Sequence, residues 1–171
     1  SYVTMGTSQL MSVPYALYAK EAGSGSGALE EITEGSNTGY RIVGRDTANY
    51  GDIGDNALDL SYFPFASTTN GASGQSSTAV GYSTTASGIA STAMGHFTFA
   101  SGDFSTAMGE STTASGDYST AMGESTTASG DHSIVSGLGT TASGFSTTAM
   151  GFQTTASGGA STATGFETTA S

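Results

Sequence analysis

The most constraining feature of this sequence is a 14-residue segment that repeats without insertion. Ser105–Tyr118 reads STAMGESTTASGDY, and Ser119–His132 reads STAMGESTTASGDH. The same frame continues end to end, in coils 77–90, 91–104, 105–118, 119–132, 133–146 and 147–160 and a partial coil 161–171. A period this short predicts a solenoid, in which each turn of the chain stacks only on its neighbours.

The composition limits how large a core the chain can build. Among 171 residues there are 26 Gly, no Cys and no Trp, and only 10% are charged. Composition alone is compatible with disorder, because few large apolar side chains are available for burial. The fixed frame of Ala and Gly instead favours a narrow core of small residues, supported by oligomerisation.

The charge of the chain excludes several classes of partner. The net charge is −11, and the basic residues are Lys20, Arg41 and Arg45. We therefore expect no nucleic-acid binding. Without Cys there is no disulfide framework or thiol chemistry, and no apolar run approaches the ~20 residues of a membrane helix.

The two ends of the sequence suggest a longer protein. Ser1–Leu10 does not resemble a signal peptide. The last residues, Thr-Thr-Ala-Ser, stop before the Gly that closes this half-repeat elsewhere. We therefore expect further sequence on both sides.

The sequence divides into three parts. Residues 1–35 form a connector, with a short amphipathic helix at Ser12–Lys20 that starts near Pro14. A Gly/Ser joint follows at Gly23–Gly27, and Ala28–Glu34 is predicted to add a helical turn. Residues 36–70 form an irregular β cap, and residues 71–171 form the solenoid.

The cap contains one predicted strand and one aromatic cluster. Gly39–Gly44 is the predicted strand. The apolar residues that follow it lie between predicted turns and are Ile53, Ala57, Leu58 and Leu60. The cluster is Tyr62–Phe65, and it either plugs the open end of the solenoid or forms a binding patch. We favour the plug.

Each 14-mer splits into two heptads, Ser-Thr-Ala-Met-Gly-x-x and Thr-Thr-Ala-Ser-Gly-x-x. A coiled coil is excluded, because helix formers are scarce and every heptad contains Gly. Each heptad therefore predicts one short strand and one turn. The predicted turn glycines are Gly81, Gly88, Gly95, Gly102, Gly109, Gly116, Gly123 and Gly130.

The alternation of side chains along a strand gives the coil an inside and an outside. Ala is almost unvarying, so it is placed in the narrow interior. These residues are Ala79, Ala86, Ala93, Ala107, Ala114, Ala121 and Ala128. On the outside, one half-repeat carries an apolar column and the other a Ser/Thr column. The apolar column consists of Val80, Met94, Met108, Met122 and Met150.

A long Met column facing water would be unusual for a soluble monomer. We therefore predict that these residues form the interface of a homotrimer, which leaves a rod coated with hydroxyl groups. With about 4.8 Å between strands, seven coils would extend roughly 35 Å.

The motif Ser-Thr-Ala-Met-Gly-x-x-Thr-Thr-Ala-Ser-Gly resembles the head repeat of YadA-like trimeric autotransporter adhesins. The resemblance covers residues 71–171 and implies a trimeric, left-handed parallel β-roll with 14 residues per coil. The segments Leu10–Lys20 and Tyr50–Ser61 also resemble parts of tail-fibre-like bacterial surface proteins. One departure is that Thr replaces the family's first apolar residue, for example at Thr106.

Other side chains were weighed as sites. Asp103, Asp117 and Asp131 share one frame position, where solvated turn charges are favoured over a cation ladder. His96 and His132 lack metal-ligand neighbours. No catalytic set or phosphate loop occurs, so we expect no enzyme activity, no cofactor and no metal site. The exposed aromatic residues suggest stacking on sugars, or packing between chains.

The favoured function is a non-enzymatic adhesin head, a rigid extracellular rod on a bacterial surface that attaches to a cell-surface or glycan receptor. A phage or injection-system tail fibre is the alternative, distinguished by the sequence attached upstream. An ice-binding solenoid is a second alternative, which measurement of thermal hysteresis would test.

Overall fold

A computed structural model describes residues 28–171, which form β-strands and one 3-10 helix, Thr47–Asn49. In chain order the strands are β1 (Leu29–Glu34), β2 (Asn37–Ile42), β3 (Leu58–Tyr62), β4 (Gly71–Ala72), β5 (Thr78–Tyr82), β6 (Thr85–Ala86), β7 (Thr92–His96), β8 (Phe99–Ala100), β9 (Thr106–Glu110), β10 (Thr113–Ala114), β11 (Thr120–Glu124), β12 (Thr127–Ala128), β13 (Ile134–Leu138), β14 (Thr141–Ala142), β15 (Thr148–Phe152), β16 (Thr155–Ala156), β17 (Thr162–Phe166) and β18 (Thr169–Ala170).

The strands form two sheets that run the length of the solenoid. Sheet A has 10 strands, namely β1, β2 and the odd-numbered strands from β3 to β17. Sheet B has 8 strands, the even-numbered ones from β4 to β18. Neighbouring coils pair in parallel and in register, as Thr106 with Thr120 and Thr113 with Thr127. The prediction of an all-β parallel solenoid is confirmed, with about 9 coils of roughly 14 residues.

The apolar interior is a ladder of small side chains. All of the alanines that we placed inside the coil are 0% exposed: Ala79, Ala86, Ala93, Ala107, Ala114, Ala121 and Ala128. Val135 takes this position in coil 133–146 and is also 0% exposed. In the other repeat coils, the strands of the two sheets lie so close that each contributes only a methyl group to the space between them. Larger residues are therefore absent from this interior position.

Hydroxyl groups also lie inside the coil, which we did not predict. Strand alternation places Ser and Thr, two residues before each Ala, on the same inward side. The buried members include Ser77, Ser91, Ser105, Ser119, Thr84, Thr98, Thr112 and Thr126. Their hydroxyl oxygens have no hydrogen-bond partner within residues 28–171. A core of methyl groups and unpaired hydroxyls stabilises each coil only slightly, so backbone bonds between coils matter more.

The glycines do not all lie in turns. Gly81, Gly95, Gly109 and Gly123 lie within strands of sheet A instead, at φ from 117 to 130°. Gly88, Gly102, Gly116 and Gly130 follow the strands of sheet B, at the bend. A Cβ on any of these residues would overlap the carbonyl oxygen of the equivalent glycine in the next coil. Close stacking of the coils, as well as turning, therefore requires glycine.

The N-terminal end of the described chain is a β-hairpin, so the helical turn predicted at Ala28–Glu34 is wrong. Strand β1 pairs antiparallel with β2, with Leu29 opposite Ile42. Strand pairing and the packing of Ile32 against the core outweigh the helix propensity of this segment. The hairpin spans our boundary between 1–35 and 36–70. The helix predicted at Ser12–Lys20 and the Gly/Ser joint lie outside the described residues.

A buried ionic network closes this end of the solenoid. Arg41 is 1% exposed and Asp59 is 0% exposed, and Arg41 Nε donates to Asp59 Oδ2 at 3.2 Å. Arg41 Nη1 also contacts Glu34 Oε1 at 3.3 Å, and Nη2 donates to the Gly51 carbonyl at 3.1 Å. Asp59 pairs in register with Ala79, so its carboxylate occupies the interior position of the alanine ladder.

The aromatic cluster that we expected to plug the end lies on the surface. Tyr62 is 46% exposed and Phe65 is 68% exposed. The interior at this level is instead occupied by Arg41 and Asp59, with Tyr50 and Ile53 also buried. The plug is therefore made of paired charges, and the aromatic side chains remain available on the surface.

Candidate interaction surfaces

The outward side of sheet A carries three columns of side chains. In coil 105–118 these are Thr106, Met108 and Glu110, and each pairs in register with its counterpart one coil away. We call this surface the apolar face. Its central column contains every residue that we predicted at the trimer interface, Val80, Met94, Met108, Met122 and Met150.

The central column is accessible in a single chain. Met94 is 44% exposed and Met150 is 43% exposed, whereas Val80, Met108 and Met122 are half-buried by their neighbours along the column. Large apolar side chains form a stripe from Leu60 to Met122 and return at Met150, with Ser136 between them and Thr164 at the last coil. A stripe of this kind is characteristic of a surface that is covered by another protein surface.

The outward side of sheet B is chemically different, and we call it the hydroxyl face. Its Ser column, which includes Ser87, Ser101, Ser115 and Ser129, is exposed. The neighbouring Thr column is half-buried at Thr113 and Thr127, and Thr85 is only 8% exposed. Phe99 interrupts this column and is 41% exposed. The two faces of the rod therefore differ sharply in polarity.

One edge of the rod carries a stack of rings. Phe104 and Tyr118 have ring centroids 5.0 Å apart at an interplanar angle of 7°, and Tyr118 and His132 are 4.9 Å apart at 3°. Phe145 closes the stack edge-on, 5.4 Å from His132. Tyr118 has a ring against each of its faces, whereas Phe104 and Phe145 at the two ends of the stack are 51% and 61% exposed. Stacking of a sugar on Tyr118 would require the rings to separate.

The aspartates beside this stack have a defined structural role. Asp103 Oδ1 accepts a hydrogen bond from the Ile89 backbone N–H at 2.8 Å. The Asp103 N–H in turn donates to Asp117 Oδ1 at 2.9 Å, and the Asp117 N–H donates to Asp131 Oδ1 at 3.0 Å. Each carboxylate thus satisfies a backbone donor of the preceding coil. We had considered only solvated charges or a cation ladder.

This role gives a testable prediction at Asp117. Replacing Asp117 by Ala removes the acceptor for the Asp103 N–H, and we expect a loss of about 0.5–1 kcal/mol in the free energy of unfolding. Asp117→Asn keeps an acceptor oxygen without the charge and should remain close to the unsubstituted protein. Chemical denaturation at fixed protein concentration measures both. An equal loss for the Asn and Ala variants would show that charge, and not the hydrogen bond, matters.

A second aromatic cluster lies near the N-terminal end of the solenoid. Tyr82 contacts Tyr62, His96 and Phe97, with centroid distances between 5.1 and 5.9 Å. The guanidinium carbon of Arg45 lies 4.8 Å from the centre of the Tyr62 ring. His96 Nδ1 is 3.6 Å from Glu110 Oε1, and both side chains are largely exposed. These residues are far apart in the sequence, because they come from the cap and from three successive coils.

Within residues 28–171, no three His, Asp or Glu side chains come together in a way that could hold a metal ion. The same part of the chain contains no helix that is long and apolar enough to cross a membrane.

Comparison with known proteins gives a match to one family. The model of the YadA head domain repeat matches four segments, residues 72–98, 100–123, 114–140 and 142–168. Together these segments cover more than half of the chain and nearly all of the repeated coils. No curated protein matches the chain.

Proposed function

The chain belongs to the family of YadA head domain repeats, and on this basis we propose that it forms the trimeric, non-enzymatic head segment of a fibre that attaches to surfaces. The family suggests a function like that of trimeric autotransporter adhesins, which are exposed on the bacterial surface. The observation that carries the proposal is the apolar face, whose central column holds Val or Met in five of the seven repeat coils. Burial of this column between chains would explain why a single chain exposes it.

The size of the apolar face supports a chain-to-chain contact. Eight coil strands, β3 to β17, lie side by side in sheet A. With about 4.8 Å between strands and about 3.3 Å per residue, the face measures roughly 38 by 16 Å. This planar area, about 600 Å², is of the order that a stable interface buries on each partner. Three chains around a threefold axis would bury its central column, with Glu110 and Glu124 at the rim, and leave the hydroxyl faces outside.

The composition of the hydroxyl face fits a role in contact with the environment. Its Ser side chains are small, exposed and uncharged, and the rod beneath them is held by regular backbone hydrogen bonds. A stiff trimeric rod of this kind holds a binding group at its outer end at a distance from the cell surface. We propose that attachment to a cell-surface or glycan receptor uses exposed aromatic groups outside the stacked edge, such as Phe65, Phe97 and Phe99.

The oligomeric state tests the proposal. We expect the unsubstituted protein to have the mass of three chains in light scattering. Met108→Glu would place three carboxylates at one level of the interface, and their desolvation should cost about 4 kcal/mol, roughly a thousandfold in the association constant.

Ser115→Glu is the matched control, because it adds the same charge in the same coil on the hydroxyl face. We expect this variant to remain trimeric. A monomeric unsubstituted protein would disprove the proposal. Dissociation caused by Ser115→Glu alone would place the interface on sheet B instead.

A further inference from the structure

Coil 133–146 departs from the pattern of the apolar face. Where coil 119–132 carries Thr120, Met122 and Glu124, strand β13 carries Ile134, Ser136 and Leu138. The next coil again carries Thr148 and Met150, with Phe152 in place of Glu. We call the three residues of β13 the outward triplet.

The outward triplet redistributes apolar surface without removing it. Ile134 is 44% exposed and Leu138 is 37% exposed, whereas the half-buried Ser136 interrupts the column of Met side chains. At this level the apolar surface therefore lies on both flanks of the face and not at its centre.

The backbone is unaffected by this change. Strand β13 pairs in register with β11 on one side and with β15 on the other, over all five residues. Inside the coil, Val135 is fully buried in the position held elsewhere by Ala. The departure at Ile134, Ser136 and Leu138 thus serves the outer surface and is not needed for the coil to form.

A repeated rod has a specific problem when it assembles with copies of itself. The outward residues of coils 105–118 and 119–132 are identical, Thr-Met-Glu in both. At these two levels, a neighbouring chain that slips by one coil, about 4.8 Å, would meet the same outward residues. Pairing between repetitive surfaces is weakly specified, because shifted alignments have similar energies.

We propose that the outward triplet is a register key, which aligns the chains of the trimer level by level. The partner is a second copy of this chain, and the inference rests on the proposed trimer. In the aligned assembly, the triplets of all chains lie at one level, so that apolar flanks meet apolar flanks. A slip by one coil would bring Leu138 to the level of Glu124, and the carboxylate would lose water without gaining a partner.

The key can be removed by giving coil 133–146 the outward residues of coils 105–118 and 119–132. The substitutions are Ile134→Thr, Ser136→Met and Leu138→Glu. Register is then measured by disulfide formation between chains, which is feasible because the protein contains no Cys. Chains with Met94→Cys are assembled with tagged chains carrying Met108→Cys, and the oxidised products are separated by mass. Disulfides tolerate only a narrow range of Cα separations, about 4.4–6.8 Å, so pairing reports alignment.

With the native triplet, we expect bonds between equal positions, 94 to 94 and 108 to 108, to exceed bonds between 94 and 108 at least fivefold. Without the triplet, the mixed product should become comparable to the others. A control variant exchanges the triplets of coils 119–132 and 133–146, which keeps one distinctive coil and should keep the native pattern.

The outcomes separate this inference from the proposed function. A trimer whose register stays fixed after the key is removed would overturn the register key and leave the proposed function standing. A triplet variant that becomes monomeric would also overturn it, because the triplet would then set affinity and not alignment. A protein with the native triplet that is monomeric, and whose Met94→Cys and Met108→Cys variants form no disulfide between chains, would overturn both.

Discussion

Substituting Gly109 by Ala is expected to split the solenoid into two poorly connected halves. Gly109 lies in β9 at φ 122°, a backbone conformation that residues other than glycine rarely adopt. It pairs in register with Gly123, and an added Cβ would overlap the Gly123 carbonyl oxygen. The overlap is with backbone, so no rotamer change can relieve it. The two coils must therefore move apart, which breaks the hydrogen bonds between their parallel strands.

We expect Gly109→Ala to lower the free energy of unfolding by at least about 3 kcal/mol, from backbone strain together with the lost pairing. Because each coil contacts only its neighbours, hydrogen exchange should accelerate first in coils 105–118 and 119–132. Circular dichroism and hydrogen exchange measured on the same samples would report both effects.

Gly159→Ala is the matched control for this substitution. Gly159 is exposed in a turn, its φ is not positive, and an added Cβ would meet nothing within 4 Å. We expect a change of no more than about 0.5 kcal/mol. If Gly109→Ala were as stable as Gly159→Ala, stacking between coils would not be the reason for the periodic glycine.

The glycines illustrate how far the sequence alone could lead. Their period gave the coil length and its phase, and the almost unvarying Ala gave the interior, because both are visible as repetition. The reason for Gly109 was not visible, since the overlap involves the carbonyl of a residue one coil away. The buried Ser105 and Thr112 were missed for a different reason. Hydroxyl groups usually face solvent, and here the narrowness of the coil places them inside.

The predictions for the cap were weaker, because this region has no repetition to guide them. Tyr62–Phe65 had the right composition for a plug, but Arg41, Asp59 and Tyr50 fill the interior at this level. Arg41 and Asp59 are 18 positions apart in the chain and pair only because β2 and β3 are adjacent in sheet A. The apolar face could be predicted from period 2 within each strand. The outward triplet gained meaning only when the register of β13 with its neighbours was known.

The second large effect is expected at Asp59. Asp59→Ala would place a methyl group where the neighbouring coils already have one, since Asp59 is in register with Ala79. Steric fit is therefore not the concern. The substitution leaves Arg41, which is 1% exposed, without its buried partner, and Glu34 remains as its only carboxylate among the described residues. Removing one member of a buried ion pair costs about 3–5 kcal/mol.

The loss should be local to the cap. Hydrogen exchange should accelerate in residues 28–62, whereas coils 105–118 and 119–132 should keep their protection, because they contact only adjacent coils. Light scattering should still give the mass of the unsubstituted assembly, since the apolar face is untouched. Exchange that accelerates equally along the whole rod would mean that the solenoid unfolds as one unit and that the cap controls all of it.

A second substitution separates charge from shape. In the double variant Arg41→Met and Asp59→Ala, no unpaired charge from this pair remains, and we expect recovery of about 2 kcal/mol relative to Asp59→Ala alone. Recovery should be incomplete, because Asp59 Oδ1 also accepts hydrogen bonds from the Ser61 N–H at 3.0 Å and the Ser61 hydroxyl at 2.6 Å. A double variant less stable than Asp59→Ala would mean that Arg41 stabilises the cap through Gly51 and Glu34, independently of Asp59.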